Sequence, residues 1–319
     1  LVTFGGAFFA SFPLFYSTSF GGAYWLWMII LFSFVLQAVS YEFQNKLGNI
    51  FGAKTFQWFL VLNGIVGPVL LGGAVATFFN GSNFVVNKMN ITNSLQPVIS
   101  QWANGSHGLD ALLDPWNLVL GLAVMFLSRI LGTFYIINNV NDAAIQERSK
   151  RQLLVNTVPF LVLFLSFLIR TLLKDGFAEN VNDGSIYMEP MKYLNNFVTM
   201  WYLLVVLLVG VLMLLYALGK TLFTKNYTKG IWFAGIGVVL VVLSLLLCAG
   251  WNHTAYYPSN IDIQSSLTIS NSCSSLFTLQ TMSVVSILVP FVVAYIAYVW
   301  YVMDKKKLDK EELKDDEVY

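Results

Sequence analysis

The sequence predicts an all-α protein that crosses a membrane several times. Its 319 residues are 57% hydrophobic and only 11% charged, which is far from the balance of a soluble domain. The apolar residues fall into runs of about 20 residues or more, the length of helix that crosses a bilayer. Because lipid cannot hydrogen-bond to the backbone, runs of this length must be helices, and the alternating pattern of a β-barrel is absent.

Eight apolar runs are predicted to be membrane-spanning helices. The first two are separated only by Tyr16–Gly22, which holds no charge, so we expect this pair to form a tight helical hairpin. The runs form a single transmembrane domain over residues 1–303, followed by a charged tail at 304–319. The predicted helices lie approximately at residues 4–21, 22–41, 56–79, 117–138, 153–173, 198–219, 230–251 and 281–303.

The Lys and Arg residues predict which side of the membrane each loop faces, because cytoplasmic loops carry the excess of these residues. Thirteen of them follow the second, fourth, sixth and eighth runs, whereas the alternate loops hold three. This alternation is the one that eight spans produce. We therefore expect Leu1 and the C-terminus on the cytoplasmic side, with residues 304–319 as a solvated tail.

The sequence offers few residues that could bind a metal or a haem. Its two histidines, His107 in a polar loop and His253 at the end of the seventh run, cannot face one another across a helical bundle. There is no phosphate-binding loop, no dinucleotide fingerprint and no soluble domain large enough for a separate active site. We therefore expect no catalytic centre, no metal site, no bound cofactor and no nucleic-acid partner for this chain alone.

Arg129 is the one charged residue near the centre of a predicted span. An unpaired guanidinium in lipid costs at least several kcal/mol, so this side chain should face a partner protein, a water-filled cavity or an anionic head group. No carboxylate of the chain is expected at the same depth. Arg129 is therefore a candidate contact for another subunit or for lipid, and a transport role is the alternative.

A second group of polar residues lies at the end of the second run. Glu42 and Lys46 are four residues apart and share one face of a helix. They form either a surface ion pair worth a few tenths of a kcal/mol or the entrance of a proton path. Gln37, five residues before Glu42, would extend such a path inward.

Three blocks of sequence resemble subunit II of the cytochrome bd quinol oxidases. The first resembles the family's second helix, and the second is similar to the end of its third helix, where an acidic residue stands between aromatics with a Lys four residues on. The third resembles the loop before the last helix. The blocks are residues 1–13 with Tyr16 and Phe20-Gly21-Gly22; residues 36–46 with Tyr41-Glu42-Phe43-Gln44-Asn45-Lys46; and Tyr257-Pro258-Ser259-Asn260 with residues 265–269, Ser274-Ser275 and Thr278-Leu279.

The resemblance implies a haem-free subunit with two four-helix bundles and one further helix. It implies that haem b, haem d and the quinol site belong to a larger partner, subunit I, in a complex of the bacterial inner membrane that oxidises quinol and reduces oxygen to water. A structural quinone, lipid and small single-helix subunits are further candidate partners. The family's first helix and its Trp-Asp-Gly-Asn-x-Val-Trp motif would precede Leu1, so the chain is expected to lack them.

The resemblance also implies roles for individual residues. Glu42 matches an acidic position of the family's third helix, which carries over a proton-conducting role, with Lys46 beside it. Gln37 stands where many members have Arg, and Arg129 matches no charge of the family. Two other hypotheses are open: a secondary transporter, which would show inverted repeats and further midplane charges, and an assembly scaffold with no proton role.

Overall fold

The computed structural model describes residues 2–46, 51–95, 97–224 and 227–303, so the predicted tail at 304–319 lies outside the described residues. The prediction of an all-α membrane protein is confirmed. The α-helices are α1 (Val2–Ser11), α2 (Pro13–Phe15), α3 (Tyr24–Phe43), α4 (Ala53–Asn80), α5 (Pro115–Asn139), α6 (Ala143–Leu173), α7 (Lys192–Thr199), α8 (Trp201–Phe223), α9 (Gly230–Gly250), α10 (Ile269–Ser272), α11 (Leu276–Ser286) and α12 (Val289–Met303).

Seven helical segments within the described residues are long and apolar enough to cross a membrane, so the predicted count of eight is not confirmed. They are α3, α4, α5, α6, α8, α9 and the α11–α12 segment Leu276–Met303. The predicted run at 4–21 is instead interrupted at Phe12, whose φ of −135° and ψ of 66° are not helical. Pro13 explains this break, because proline lacks the N–H of a helical hydrogen bond and its ring clashes with the preceding turn.

The linker that we expected to be a tight turn between the first two runs is itself helical. Tyr16–Gly22 forms one stretch of π-helix, and Ala23 then separates it from α3. The indole N–H of Trp27 donates to the carbonyl of Ser19 at 3.1 Å, and Phe20 stacks on Trp27 with ring centroids 4.4 Å apart. These contacts fix the π-helix against the first turn of α3.

Four helices, α5, α6, α8 and α9, form a bundle in which α5 contacts α6 and α9, and α8 contacts α6 and α9. The buried core of this bundle includes Ile130, Leu153 and Phe160. α4 packs against the outside of α5, and α3 packs on α4 through a smaller buried cluster. The α11–α12 segment contacts α1 and has no buried residue. A second four-helix bundle stays a prediction.

The two ends of the helices differ. At one end, which we call the basic end, the connections after α3, α5 and α8 are short, and Lys and Arg lie in these connections or, after α5, in the first turns of α6. At the other end, the loop end, long connections fold into a cap on the helices. Two small antiparallel pairs belong to this cap: β1 (Phe84–Val86) with β2 (Ser100–Trp102), and β3 (Gly176–Glu179) with β4 (Ile186–Glu189). Three 3₁₀ helices, Lys88–Thr92, Leu109–Leu113 and Ile263–Ser265, complete it.

The cap is held by contacts between segments that are far apart in the sequence. Tyr257 is buried, stacks on Phe84 with centroids 5.2 Å apart, and pairs its hydroxyl with that of Ser82 at 3.1 Å. The backbone N–H of Ser82 donates to the carbonyl of Pro258 at 2.9 Å. The loop that precedes the last helix is therefore anchored to the end of α4.

Glycines let α8 and α9 approach each other closely. A Cβ at Gly210 would lie 2.7 Å from the carbonyl oxygen of Gly237, and a Cβ at Gly237 would lie 2.7 Å from that of Gly210. Small residues at such crossings allow backbone-to-backbone packing, which is a main source of helix association in lipid. The hydroxyl of Ser244 adds a hydrogen bond from α9 to the carbonyl of Leu203 on α8, at 2.7 Å.

We expect Gly237→Ala to destabilise the protein by about 1–3 kcal/mol, because the added methyl group forces the two helices apart. Gly235→Ala is the matched control: it lies on the same helix, and a Cβ there meets nothing within 4 Å. Thermal unfolding in detergent measures both variants. Equal stability of the two would contradict the close crossing.

Candidate functional site

The structure joins Glu42 and Lys46 at the basic end of α3. The ammonium of Lys46 donates to a carboxylate oxygen of Glu42, and both side chains are 56% exposed. Lys46 also lies over the ring of Phe43, 5.2 Å from its centroid. An exposed ion pair one helical turn apart adds little to stability, and both charged groups are accessible to water.

Gln37 belongs to a different, more buried group of polar side chains between α3 and α4. The side-chain NH2 of Asn63 donates to the side-chain oxygen Oε1 of Gln37 at 2.8 Å, and the hydroxyl of Ser33 donates to the side-chain oxygen Oδ1 of Asn63. Ser33 and Asn63 are each 5% exposed. We call Ser33, Asn63 and Gln37 the polar triad.

The helices position the polar triad by their spacing. Ser33 and Gln37 are four residues apart on α3 and therefore face the same neighbour, α4. Gly67, one turn after Asn63 on α4, leaves room for the polar triad, because a Cβ there would lie 3.1 Å from the side-chain oxygen of Asn63. A larger residue at this position would push against the hydrogen-bonded amide.

The polar triad and the ion pair lie along one helix but do not touch. Glu42 lies five residues beyond Gln37, about 7.5 Å along α3. No hydrogen bond among the described residues connects the ion pair to the polar triad. Ser33, at the far end of the polar triad, lies nine residues from Glu42, about 13.5 Å along α3. Beyond it the space between α3 and α4 is filled by apolar side chains, Leu26, Ile30, Leu70 and Ala74.

Sequence reasoning found Gln37 but missed its partners Ser33 and Asn63. A signal was available, because each is a polar residue inside an apolar run and such residues need a partner in lipid. The pairing itself depends on how α3 and α4 are rotated against each other, which the sequence pattern does not specify.

Arg129 lies on the outer surface of α5, and its side chain is exposed. No carboxylate of the described residues lies within 4 Å of it. The ring of Phe134 meets the start of α9, since a Cβ at Gly230 would lie 2.7 Å from it. Arg129 is five residues earlier on α5, only about 7.5 Å deeper than that level. Arg129 thus lies two residues beyond the midpoint of α5, and its position near the centre of a membrane span stays a prediction.

A second group of cations lies at the loop end, where α4, α5 and α6 meet. Arg170 donates to the side-chain oxygen of Asn80 at 2.9 Å and lies over the ring of Trp116, 4.6 Å from its centroid. Lys174 donates to the carbonyl of Phe79 at 2.9 Å. We call Arg170 and Lys174 the cation pair. Burial and the charge of Arg170 lower the pKa of Lys174 to about 8.

Both histidines lie at the loop end, outside the long helices. The Nδ1–H of His107 donates to the carbonyl of Gly22 at 3.1 Å, and its ring lies beside that of Tyr24, with centroids 4.5 Å apart and the planes tilted by 31°. His253 occupies a turn with φ of 51°. Within the described part of the chain, no group of three or more His, Cys, Asp or Glu side chains could hold a metal ion.

A family model described as cytochrome bd terminal oxidase subunit II matches residues 1–303. The chain is 24% identical over 290 residues to "Cytochrome bd-I ubiquinol oxidase subunit 2" of Escherichia coli (strain K12), which covers 88% of this chain and 72% of that protein. It is 23% identical over 289 residues to "Probable cytochrome oxidase subunit 2" of Haemophilus influenzae, with the same coverage of 88% and 72%. A shorter match, 32% identical over 81 residues, covers 25% of this chain and 24% of "Cytochrome bd ubiquinol oxidase subunit 2" of Bacillus subtilis.

The polar triad makes a prediction that a double-mutant cycle can check. Asn63→Leu should destabilise the protein, because it leaves the hydroxyl of Ser33 and the amide of Gln37 without their partner. Interhelical hydrogen bonds in membranes couple by about 0.6 kcal/mol on average and about 1.7 at most. Thermal unfolding of Ser33→Ala, Asn63→Leu and the double variant should therefore show coupling of about that size. Strict additivity of the two single effects would mean that the bond is absent.

Proposed function

Because the chain belongs to the cytochrome bd terminal oxidase subunit II family, we propose that it is the haem-free subunit of a quinol:oxygen oxidoreductase and provides part of its proton route. The family places it in a quinol oxidase complex with a partner, subunit I, and its seven candidate spans make it a multi-pass protein of the bacterial inner membrane. In the proposal the partner holds haem b and haem d and oxidises quinol, while this chain supports it.

The positions of the histidines support a haem-free role. A haem inside a helical bundle is held by side chains that face one another between the helices. His107 is bound to a backbone carbonyl at the loop end, and His253 lies in a loop-end turn. Neither side chain is on a long helix, so neither projects from one into the bundle.

The polar triad is the observation that carries the proton route. Three hydrogen-bonded side chains in the interface between two apolar helices are costly unless they serve packing or a path, since lipid offers them no other partner. Side-chain amides do not themselves ionise at ordinary pH, so their part in a path is to orient water molecules. In this proposal the basic end faces the cytoplasm, as the excess of Lys and Arg favours, and Glu42 and Lys46 would exchange protons with water there.

The path proposed here leaves this chain at the depth of Ser33. The apolar cluster of Leu26, Ile30, Leu70 and Ala74 closes the space beyond Ser33, so a proton cannot continue between α3 and α4. The outer face of α3 exposes large apolar side chains at the same depth, among them Phe32, which is 58% exposed. A partner subunit packed on this face would receive the proton there.

A second candidate function is assembly support without a proton role. It is favoured by one observation: the ion pair of Glu42 and Lys46 has no direct hydrogen bond to Gln37 within the described residues. In that case the polar triad only orients α3 against α4, and the ion pair is a surface feature.

Replacement of Glu42 separates the two functions. We expect Glu42→Gln to slow oxygen reduction by about tenfold, equivalent to ~1.4 kcal/mol in the barrier, because the ionisable group at the mouth of the path is lost. Oxygen consumption and proton uptake by the purified complex measure the effect. Electron transfer into the haems, followed by their absorbance, should keep its rate.

Glu147→Gln is the matched control, because Glu147 is an exposed carboxylate at the basic end on α6, away from the polar triad. It should leave the rate unchanged, and Glu42→Asp should restore most of it. Unchanged oxygen reduction and proton uptake in Glu42→Gln, with normal haem content, would support the scaffold instead.

A further inference from the structure

A large apolar cavity lies among α4, α5, α6, α8 and α9. Its volume is about 310 Å³, and its lining consists of apolar side chains and Gly72. An apolar cavity of about 150 Å³ already stays dry and can bind benzene, so a cavity of this size favours an apolar occupant over water. Interiors of proteins are otherwise packed almost without voids.

The cavity reaches the outside of the helices as well as their interior. Val75, Leu165, Leu215 and Leu246 line it and are also 37% to 48% exposed. In a membrane these side chains meet lipid. An acyl chain can therefore enter from the surrounding bilayer.

The cation pair lies directly above the cavity at the loop end. Three residues connect the two features, one from each of α4, α5 and α6. Phe79 lines the cavity and accepts the hydrogen bond of Lys174; Phe167 lines it three residues before Arg170; and Leu120 lines it four residues after Trp116. Three or four residues are one helical turn, about 5 Å. An apolar chamber thus ends in two adjacent positive charges.

The positive charge of the cation pair is not balanced by the described part of the chain. No carboxylate there lies within 4 Å of Arg170 or Lys174. The carboxylate of Asp114 acts electrostatically on Lys174 but is bound elsewhere: it accepts from the backbone N–H of Trp116 at 2.7 Å and caps α5. Arg170 uses one of its five N–H donors on Asn80, and Lys174 uses two of its three on Phe79 and Asn80, so most donors of Arg170 and one of Lys174 are left for an anion.

We propose that the cation pair binds the phosphate of an anionic phospholipid and that an acyl chain of the same lipid occupies the cavity. Arg170 would pair with the phosphate through its planar guanidinium, and Lys174 would act as a second point charge. A phosphate also removes the repulsion between the two cations. The acyl chain would fill the space that α4, α5, α6, α8 and α9 enclose.

The test compares variants of the intact oxidase complex by native mass spectrometry after the bound lipid has been removed with detergent. The complexes are incubated with phosphatidylglycerol, with zwitterionic phosphatidylcholine or with inorganic phosphate. We expect one phosphatidylglycerol to bind per complex, at least about tenfold more weakly in Arg170→Gln, equivalent to ~1.4 kcal/mol. Lys88→Gln is the matched control, since Lys88 is an exposed cation at the loop end that donates to the carbonyl of Asn271.

A second variant tests the cavity and does not touch the charges. Ala123→Leu adds three carbon atoms to a buried lining residue and should displace the acyl chain, so phosphatidylglycerol binding falls although both cations are present. Equal binding of phosphatidylcholine, binding of inorganic phosphate in place of the lipid, or equal binding of phosphatidylglycerol by Arg170→Gln and Lys88→Gln would each overturn the proposal. If Arg170→Gln fails to assemble, Lys174→Gln takes its place in the same comparison.

Discussion

The absence of water in the bilayer core is the constraint on which this structure depends. Every polar group within a span must find its partner inside the protein, so the backbone is helical and the polar side chains pair across helices or back to their own turn. Asn63 pairs with Ser33 and Gln37, and Ser244 with a carbonyl of the neighbouring helix. Three buried hydroxyls have no partner among the described residues, on Thr171, Thr221 and Tyr227, and all lie at or just beyond a helix end.

The same constraint explains how much the sequence could predict. Long apolar runs require helices, so helices such as α4 and α6 follow from composition and length alone. The break at Phe12 was not predicted, although Pro13 was visible, because a proline in a span either kinks or interrupts a helix and the outcome depends on its neighbours. The cap at the loop end depends on contacts such as Tyr257 with Phe84, which no local pattern contains.

The candidate site was predictable only in part, for a geometric reason. Glu42 and Lys46 lie four apart on one helix, and their pairing follows from helical spacing. Asn63 and Ser33 lie on different helices, so their pairing requires the relative rotation of α3 and α4. The exposure of Arg129 on the outside of α5 likewise depends on how that helix is rotated against its neighbours.

In the proposed path, water reaches the polar triad from the basic end and goes no deeper. Cysteine accessibility in the assembled complex tests it directly, with exposed Cys273 first replaced by Ser and Cys248 left buried. A small, charged thiol reagent applied from the basic side should modify Ser33→Cys, while Ile30→Cys, in the apolar cluster beyond it, should stay unmodified. Protection of both positions, or reaction of both, would contradict a polar path that ends at Ser33.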